Sequence, residues 1–167
     1  MYYTMTLEQW WEEIFSCGNN NNNNNGQRQQ QQEQQGNGVV RVDVDVQREV
    51  CLVGGTEAVK DERSGSMSWF KVYNPNGKRG VISVGLSYAI VEHMRWVLEE
   101  GGWACGRRGE GERDREVRVE RVEENPSEWR RFGCYVLVES FLLRRLDGTL
   151  VLKCSFRHTQ RTRCKWE

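Results

Sequence analysis

Residues 131–159, RFGCYVLVESFLLRRLDGTLVLKCSFRHT, contain two long apolar-rich runs that meet at Asp147 and Gly148. Asp-Gly between two alternating segments is one of the stronger short signals for a β-hairpin. With these two residues as the loop, Leu137 faces His158 across the strand pair. A four-residue loop keeps this register, whereas a three-residue loop with a bulge would shift it by one position.

This register gives the hairpin two faces of different polarity. We expect the more apolar face to pack against a helix; it carries Tyr135, Leu137, Glu139, Phe141, Leu143, Leu152, Cys154, Phe156 and His158. Glu139 and His158 are diagonal neighbours there, with Cβ atoms roughly 7–8 Å apart. They could form an acid–base pair, or a structural pair that is either satisfied within the sheet or located at its solvated end. We favour the structural pair, because no nucleophile elbow, phosphate loop or H-E-x-x-H motif accompanies them.

Residues 82–100 have helical periodicity. Their apolar stripe comprises Leu86, Ile90, His93 and Val97, widened by Val91, Met94 and Leu98. Gly101 and Gly102 are expected to end this helix. Strands and helices do not alternate along the chain, so the pattern favours the α+β class, an antiparallel sheet with one long helix packed on one face. A curled sheet that leaves a pocket beside the helix is the alternative.

The N-terminal segment 6–16, TLEQWWEEIFS, is predicted to form a short amphipathic helix within a unit spanning residues 1–17. Thr6 and Gln9 match a capping box. The apolar residues fall at helical spacing: Leu7, Trp10, Trp11, Ile14 and Phe15. A helix this short is marginal alone in water. It should therefore dock on its own domain or bind a partner protein.

Residues 18–38 are rich in Asn and Gln and contain no apolar side chain, which predicts a disordered linker. The single α+β domain is expected to span residues 39–167. It opens with VVRVDVDV, whose alternation predicts a strand with one buried face. Asp43 and Asp45 lie on the solvated face of that strand, where charged residues are ordinary.

The formal net charge of zero argues against a protein that binds nucleic acid with its whole surface. A local basic patch remains at the C-terminus. It combines cationic and aromatic side chains: Arg157, Arg161, Arg163, Lys165 and Trp166. Sites for single-stranded nucleic acid use such residues. The same residues also suit an edge strand protected by charge, and we favour this second interpretation.

The six cysteines are widely spaced and include no C-x-x-C pair, and the N-terminus does not have the pattern of a signal peptide. We therefore expect reduced thiols in an intracellular protein, cytoplasmic or nuclear. Cys154, His158 and Cys164, with Cys134 as a fourth ligand, are the residues that could form a zinc site. Cys134 and Cys154 are predicted to point to opposite faces of the hairpin, so neither a metal nor another cofactor is expected.

These features favour a non-enzymatic protein-interaction or adaptor domain of an intracellular eukaryotic regulatory protein, with segment 6–16 as the partner-binding element. Two alternatives stay open. One is a small-molecule or catalytic pocket between sheet and helix, with Glu139, His158, Tyr135 and His93 as its polar groups. The other is single-stranded nucleic-acid binding through the basic C-terminus. Another protein is the expected partner; no apolar run approaches the roughly 20 residues that span a bilayer, so no membrane is expected.

Overall fold

The computed structural model describes residues 3–19, 38–61, 66–73, 81–103 and 116–167. In these ranges the strands are β1 (Tyr3–Gly18), β2 (Val39–Gln47), β3 (Glu49–Val53), β4 (Thr56–Glu57), β5 (Val59–Asp61), β6 (Met67–Val72), β7 (Ile82–Ser87), β8 (Glu116–Glu124), β9 (Arg131–Arg145) and β10 (Leu150–Trp166), with helix α1 (Tyr88–Glu100) between β7 and β8. Almost all of the predicted linker lies outside the described residues.

The strands form three antiparallel sheets with the orders β1-β9-β10-β3-β4, β2-β8 and β5-β6-β7. The protein is therefore mostly antiparallel β-sheet with a single short helix among the described residues. The predicted α+β class, with a long helix packed on a sheet and a second amphipathic helix at the N-terminus, is wrong. In the described part of the chain, no helix has the length and apolarity needed to cross a bilayer.

The predicted N-terminal helix is strand β1. It pairs with β9 from Tyr3 opposite Arg145 to Gly18 opposite Arg131. A register shift between Glu13 and Phe15 interrupts the alternation of the strand. The apolar residues resemble a helical stripe because they lie on both faces of this strand, whose backbone groups pair with a strand more than a hundred residues away.

The predicted helix at 82–100 is also partly wrong, because residues 82–87 form β7, which pairs with β6. Helix α1 begins after its N-cap Ser87 and is followed by the C-cap Gly101. Its buried residues are Val91, Met94 and Leu98, whereas Ile90 and His93 are exposed. The buried face of α1 is therefore the side that carries Val91, Met94 and Leu98, which the sequence placed at the margin of the predicted stripe.

The hairpin of β9 and β10 has the predicted register from Leu143 opposite Leu152 to Leu137 opposite His158. Four residues, 146–149, separate the two strands. In this loop the backbone N–H of Thr149 donates to Oδ1 of Asp147 at 2.9 Å. Irregularities flank the confirmed register on both sides, at Leu150/Leu152 and at His158/Thr162.

Two hydrophobic cores enclose this hairpin. The first core joins one face of the hairpin with β3, β6, β7 and α1; it includes Cys51, Phe70, Leu86, Met94, Leu98, Phe141, Leu152, Cys154 and Phe156. The second core lies under β2 and includes Phe15, Val40, Val42, Phe132 and Cys134. The alternation predicted for β2 is confirmed, since Val40, Val42 and Val46 are buried while Asp43 and Asp45 are exposed.

Candidate functional site

Glu139 and His158, predicted to be neighbours, are brought together on the α1 side of the hairpin. His158 Nε2 lies 3.4 Å from Glu139 Oε2, and the two side chains are only 2% and 3% exposed, respectively. Neither of these two buried atoms makes a hydrogen bond with any of the described residues, so each has the other as its nearest polar partner. The imidazole and the carboxylate are therefore polar partners of each other inside an apolar layer.

Three elements close this pair off from solvent. From β1, Gln9 Nε2 donates a hydrogen bond to Glu139 Oε1 at 2.7 Å. The end of α1 lies against the same carboxylate, because a Cβ on Gly101 would be 3.1 Å from Glu139 Oε1. Beyond the helix, the Trp103 ring meets the His158 ring edge to face, with centroids 5.3 Å apart. The absence of a side chain at Gly101 thus lets the helix end approach the carboxylate.

The electrostatics of the pair follow from this enclosure. Burial lowers the pKa of His158, because the imidazolium would lose its hydration. The carboxylate of Glu139 acts in the opposite direction, and the positive charges of Arg161 and Arg48 add to the lowering. The net direction is downward, so His158 is neutral at pH 7.

The arrangement offers little to a substrate. Both side chains are closed to solvent, and neither lines the groove described below. The other two polar groups predicted for this pocket lie elsewhere. The hydroxyl of Tyr135 donates a hydrogen bond to Glu13 Oε2 at 3.2 Å, and His93 lies on the exposed side of α1. The structure therefore brings together only two of the four predicted pocket residues, and the closed geometry favours the structural interpretation of the pair.

A groove of about 720 Å³ opens instead beside the first turns of α1. Its walls are β7, the outer side of α1 and the adjoining ends of β1, β9 and β10; they include Met5, Val84, Leu86, Ile90, Leu143 and Val151. Among the described residues that line it, the ionisable side chains besides the phenol of Tyr3 are His93 and Arg145, with no carboxylate. The groove is thus mainly apolar, with a cation at one end.

The five predicted partner-binding residues occupy different environments. Leu7 and Trp11 are exposed on β1, whereas Trp10 and Ile14 are half-buried. Phe15 is buried in the second core, where its ring meets that of Phe132 at a centroid distance of 6.1 Å. The single helical stripe does not exist. Only the exposed members of the set are available to a partner.

The basic C-terminal residues are largely occupied within the chain. Arg157 pairs with Glu12 at 2.5 Å, and Lys165 pairs with Glu167 at 2.5 Å. The guanidinium of Arg163 lies 4.2 Å from the ring centroid of Trp11. Trp166 packs against the second core. Arg161 is exposed, and its charge lowers the pKa of His158. Because Arg157 and Lys165 are paired with carboxylates and Trp166 packs inward, the geometry gives nucleic-acid binding little support.

The four candidate zinc ligands do not come together as one set, because Cys134 contacts Cys164 and lies apart from Cys154. Cys154 belongs to the first core and Cys134 to the second, as the predicted register implied. Within the described ranges, no group of three or more His, Cys, Asp or Glu side chains is placed to hold a metal ion. The described cysteines, Cys17, Cys51, Cys134, Cys154 and Cys164, carry free thiols.

Two features were missed by reasoning from sequence. One is the open edge of β1, which a helical interpretation hides. The other is that the cysteines pair across strands, with Cys51 opposite Cys154 and Cys134 opposite Cys164. In the uninterrupted hairpin register Cys134 would have faced position 161; the irregularity between His158 and Thr162 brings Cys164 there instead. No signal in the sequence marked that irregularity.

Comparisons of the chain with protein-family models, with curated protein sequences and with solved structures find no match.

Proposed function

We propose that this chain is a non-enzymatic protein-interaction domain that binds an extended segment of another protein along the open edge of β1. One observation carries the proposal. β1 is 16 residues long and pairs with β9 on one side, while no described strand lies on its other side. The edge of a sheet presents outward N–H and C=O groups that can pair with an added strand.

The side chains of β1 supply an apolar contact surface. Tyr3, Leu7 and Trp11 are 43%, 41% and 36% exposed. They share one face of the strand because alternate residues point the same way. The cation–π contact with Arg163 holds the ring of Trp11 in place. An ordered, partly exposed tryptophan is the kind of anchor on which protein interfaces depend most.

The charges of β1 favour a heterologous partner. Glu12 and Glu13 are paired with Arg157 and Arg131. Glu8 is exposed, and no cation of the described residues forms an ion pair with it. An antiparallel self-pairing over the full strand would place Glu8 opposite Glu13, and like charges directly opposite destabilise a strand pair. The preferred partner is therefore another protein, whose extended segment alternates apolar residues with Lys or Arg.

Two further parts of the proposal rest on composition. The free thiols of the described cysteines suit a reducing compartment, so we place the domain in the cytoplasm or nucleus. The Asn/Gln-rich residues 18–38 are typical of eukaryotic spacers, which supports an adaptor role in a eukaryotic regulatory protein. The enclosure of Glu139 and His158 supports the non-enzymatic part.

Site-specific photo-crosslinking tests where the partner binds. A photoreactive amino acid replaces exposed Thr6 on β1 and, as the control, Val122 on β8, which is 57% exposed. We expect one protein to be crosslinked from position 6 and not from position 122, through an extended basic segment. Crosslinks to a second copy of this chain, or the same products from both positions, would contradict the proposal.

Affinity measurements with the crosslinked protein, once purified, provide the second test. Leu7→Lys puts a cation on the contact face and should weaken binding at least tenfold, an effect of about 1.4 kcal/mol or more. Leu146→Lys makes the same change at the hairpin tip, where the side chain is 74% exposed, and should leave affinity unchanged. Equal effects of the two variants would exclude β1 as the binding surface.

The groove beside α1 favours a second candidate function, binding of a small amphipathic acid. Its volume falls within the usual range of ligand sites, roughly 300–1,000 Å³, and its apolar walls with Arg145 at one end suit a hydrocarbon chain carrying a carboxylate. An NMR titration with dodecanoate and dodecanol tests it. The acid should bind several-fold more tightly; Arg145→Gln should remove the difference, and Ala89→Trp should abolish both. Equal affinity of acid and alcohol in the unsubstituted chain would reject it.

A further inference from the structure

We propose that Cys134 and Cys164 form a thiol pair that a peroxide converts into a disulfide between β9 and β10. Cys134 and Cys164 are called the rim pair, and their oxidation is independent of the proposed interaction function. A second cross-strand pair, Cys51 and Cys154, serves as the internal comparison and is called the core pair.

The geometry of the rim pair suits a disulfide. Cys134 and Cys164 are directly opposed in the β9–β10 register, and their Sγ atoms are 3.8 Å apart. Opposed residues of antiparallel strands have Cα atoms about 4.5–5.5 Å apart, inside the range of roughly 4.4–6.8 Å that disulfides span. Rotation of the two side chains is therefore enough to reach the S–S bond length of about 2.05 Å.

Access to oxidant distinguishes the rim pair from the core pair. Cys51 and Cys154 are opposed in the same way, but both are buried within the first core, at 6% and 1% exposure. Cys164 is partly exposed near the C-terminus of β10, while Cys134 beside it is buried. A peroxide from solvent therefore reaches Cys164 first, and the buried thiol already in contact with it is the resolving group.

The reaction has two balanced steps. The thiolate of Cys164 attacks one peroxide oxygen and the O–O bond breaks, which gives a sulfenic acid on Cys164 and releases hydroxide. The sulfur of Cys134 then attacks Sγ of Cys164 and the S–O bond breaks. The departing oxygen takes the Cys134 proton and leaves as water. Overall, two thiols are oxidised and one hydrogen peroxide is reduced to two waters.

The rate should depend strongly on pH. Burial raises the pKa of Cys164 to about 12, and the neighbouring Cys134 adds to the rise. Only the thiolate reacts with peroxide, so oxidation is slow at neutral pH. Its rate increases about tenfold for each unit by which the pH rises toward that pKa. Contact between the two thiols makes the second step fast, which favours the disulfide over further oxidation of Cys164.

Peptide mapping of the full chain under non-reducing conditions tests the proposal. Cys17→Ser and Cys105→Ser remove other partners; Cys105 lies outside the described residues. After hydrogen peroxide treatment we expect an intrachain Cys134–Cys164 crosslink with the loss of two hydrogen atoms, formed about tenfold faster at pH 8.5 than at pH 7.5. The core pair should stay reduced. The new 30-residue loop should raise Tm by about 10 °C, reversibly with dithiothreitol.

Two control variants separate the possible outcomes. With Cys134→Ser, Cys164 should progress to sulfinic acid, with no crosslink and no rise in Tm. Cys51→Ala should leave the rim crosslink unchanged. The proposal is overturned if the core pair crosslinks first or if the disulfide joins two chains. It is also overturned if, in the chain that retains both rim cysteines, Cys164 is overoxidised while Cys134 remains a free thiol.

Discussion

The His158→Gln substitution should change how the stability of this fold depends on pH. Burial holds the pKa of His158 below 6.5, the ordinary value for histidine, despite the opposing carboxylate of Glu139. In the unfolded chain His158 is solvated and takes up a proton near pH 6.5. Between that pH and the lower pKa of the folded state, the unfolded chain binds more protons, so the free energy of unfolding decreases as the pH falls.

The size of this effect is bounded by one proton. The slope cannot exceed about 1.4 kcal/mol per pH unit, and from pH 6.5 to 5.5 the loss is at most about 1 kcal/mol. It ends once the pH falls below the pKa of folded His158. Glutamine takes up no proton, and its amide N–H can still donate to Glu139. The variant should therefore lose less stability than the wild type over the same pH interval.

Urea unfolding followed by tryptophan fluorescence, from pH 7.5 to pH 5, measures the effect, since the chain has seven tryptophans. His93→Gln is the matched control, because His93 is exposed on α1, and it should follow the wild type. The reasoning would be refuted if the curves for His158→Gln and the wild type ran parallel through this interval, because His158 would then have the same pKa in both states.

Two more stability predictions rest on local geometry. Ser140 and Ser155 share a buried hydrogen bond of 2.6 Å. Ser140→Ala should therefore lower the free energy of unfolding, measured in urea, by about 1–3 kcal/mol, because it leaves one buried hydroxyl unpaired. Replacing both serines by alanine should lower it by less than twice that amount. Gly38 has φ +88°, and an added Cβ would clash with the carbonyl oxygen of Asn125. Gly38→Ala should therefore lower Tm more than Gly54→Ala. At Gly54 φ is +57°, and no heavy atom lies within 4 Å of an added Cβ.

Much of the hairpin could be predicted because its information is local. The turn signal at Asp147 and Gly148 and the alternation on either side of it set the register, and the structure has Leu137 opposite His158 as expected. That register placed Glu139 beside His158. It could not show that the end of α1 and Trp103 close the pair off from solvent, because those contacts depend on how distant segments pack.

The N-terminal segment shows where local pattern fails. Leu7, Trp10, Trp11, Ile14 and Phe15 fit a helical stripe, and the segment in isolation offers no strand to pair with. In the fold, β9 supplies that strand, and Gln9 reaches Glu139 across 130 positions of sequence. A helix and a paired strand both satisfy the hydrogen bonds of the backbone N–H and C=O groups. The choice between them therefore depended on a partner strand that only the tertiary structure provides.

The sequence by itself determined the alternation of β2, the β9–β10 hairpin and the presence of a helix before Gly101, because each depends on neighbours within a few residues. The tertiary structure decided that the first residues form an edge strand, which side of α1 is buried, and that the cysteines meet in pairs. Each of those outcomes depends on pairing and packing between segments far apart in the chain. Residue periodicity records the local geometry of a segment and not the identity of the surface it meets.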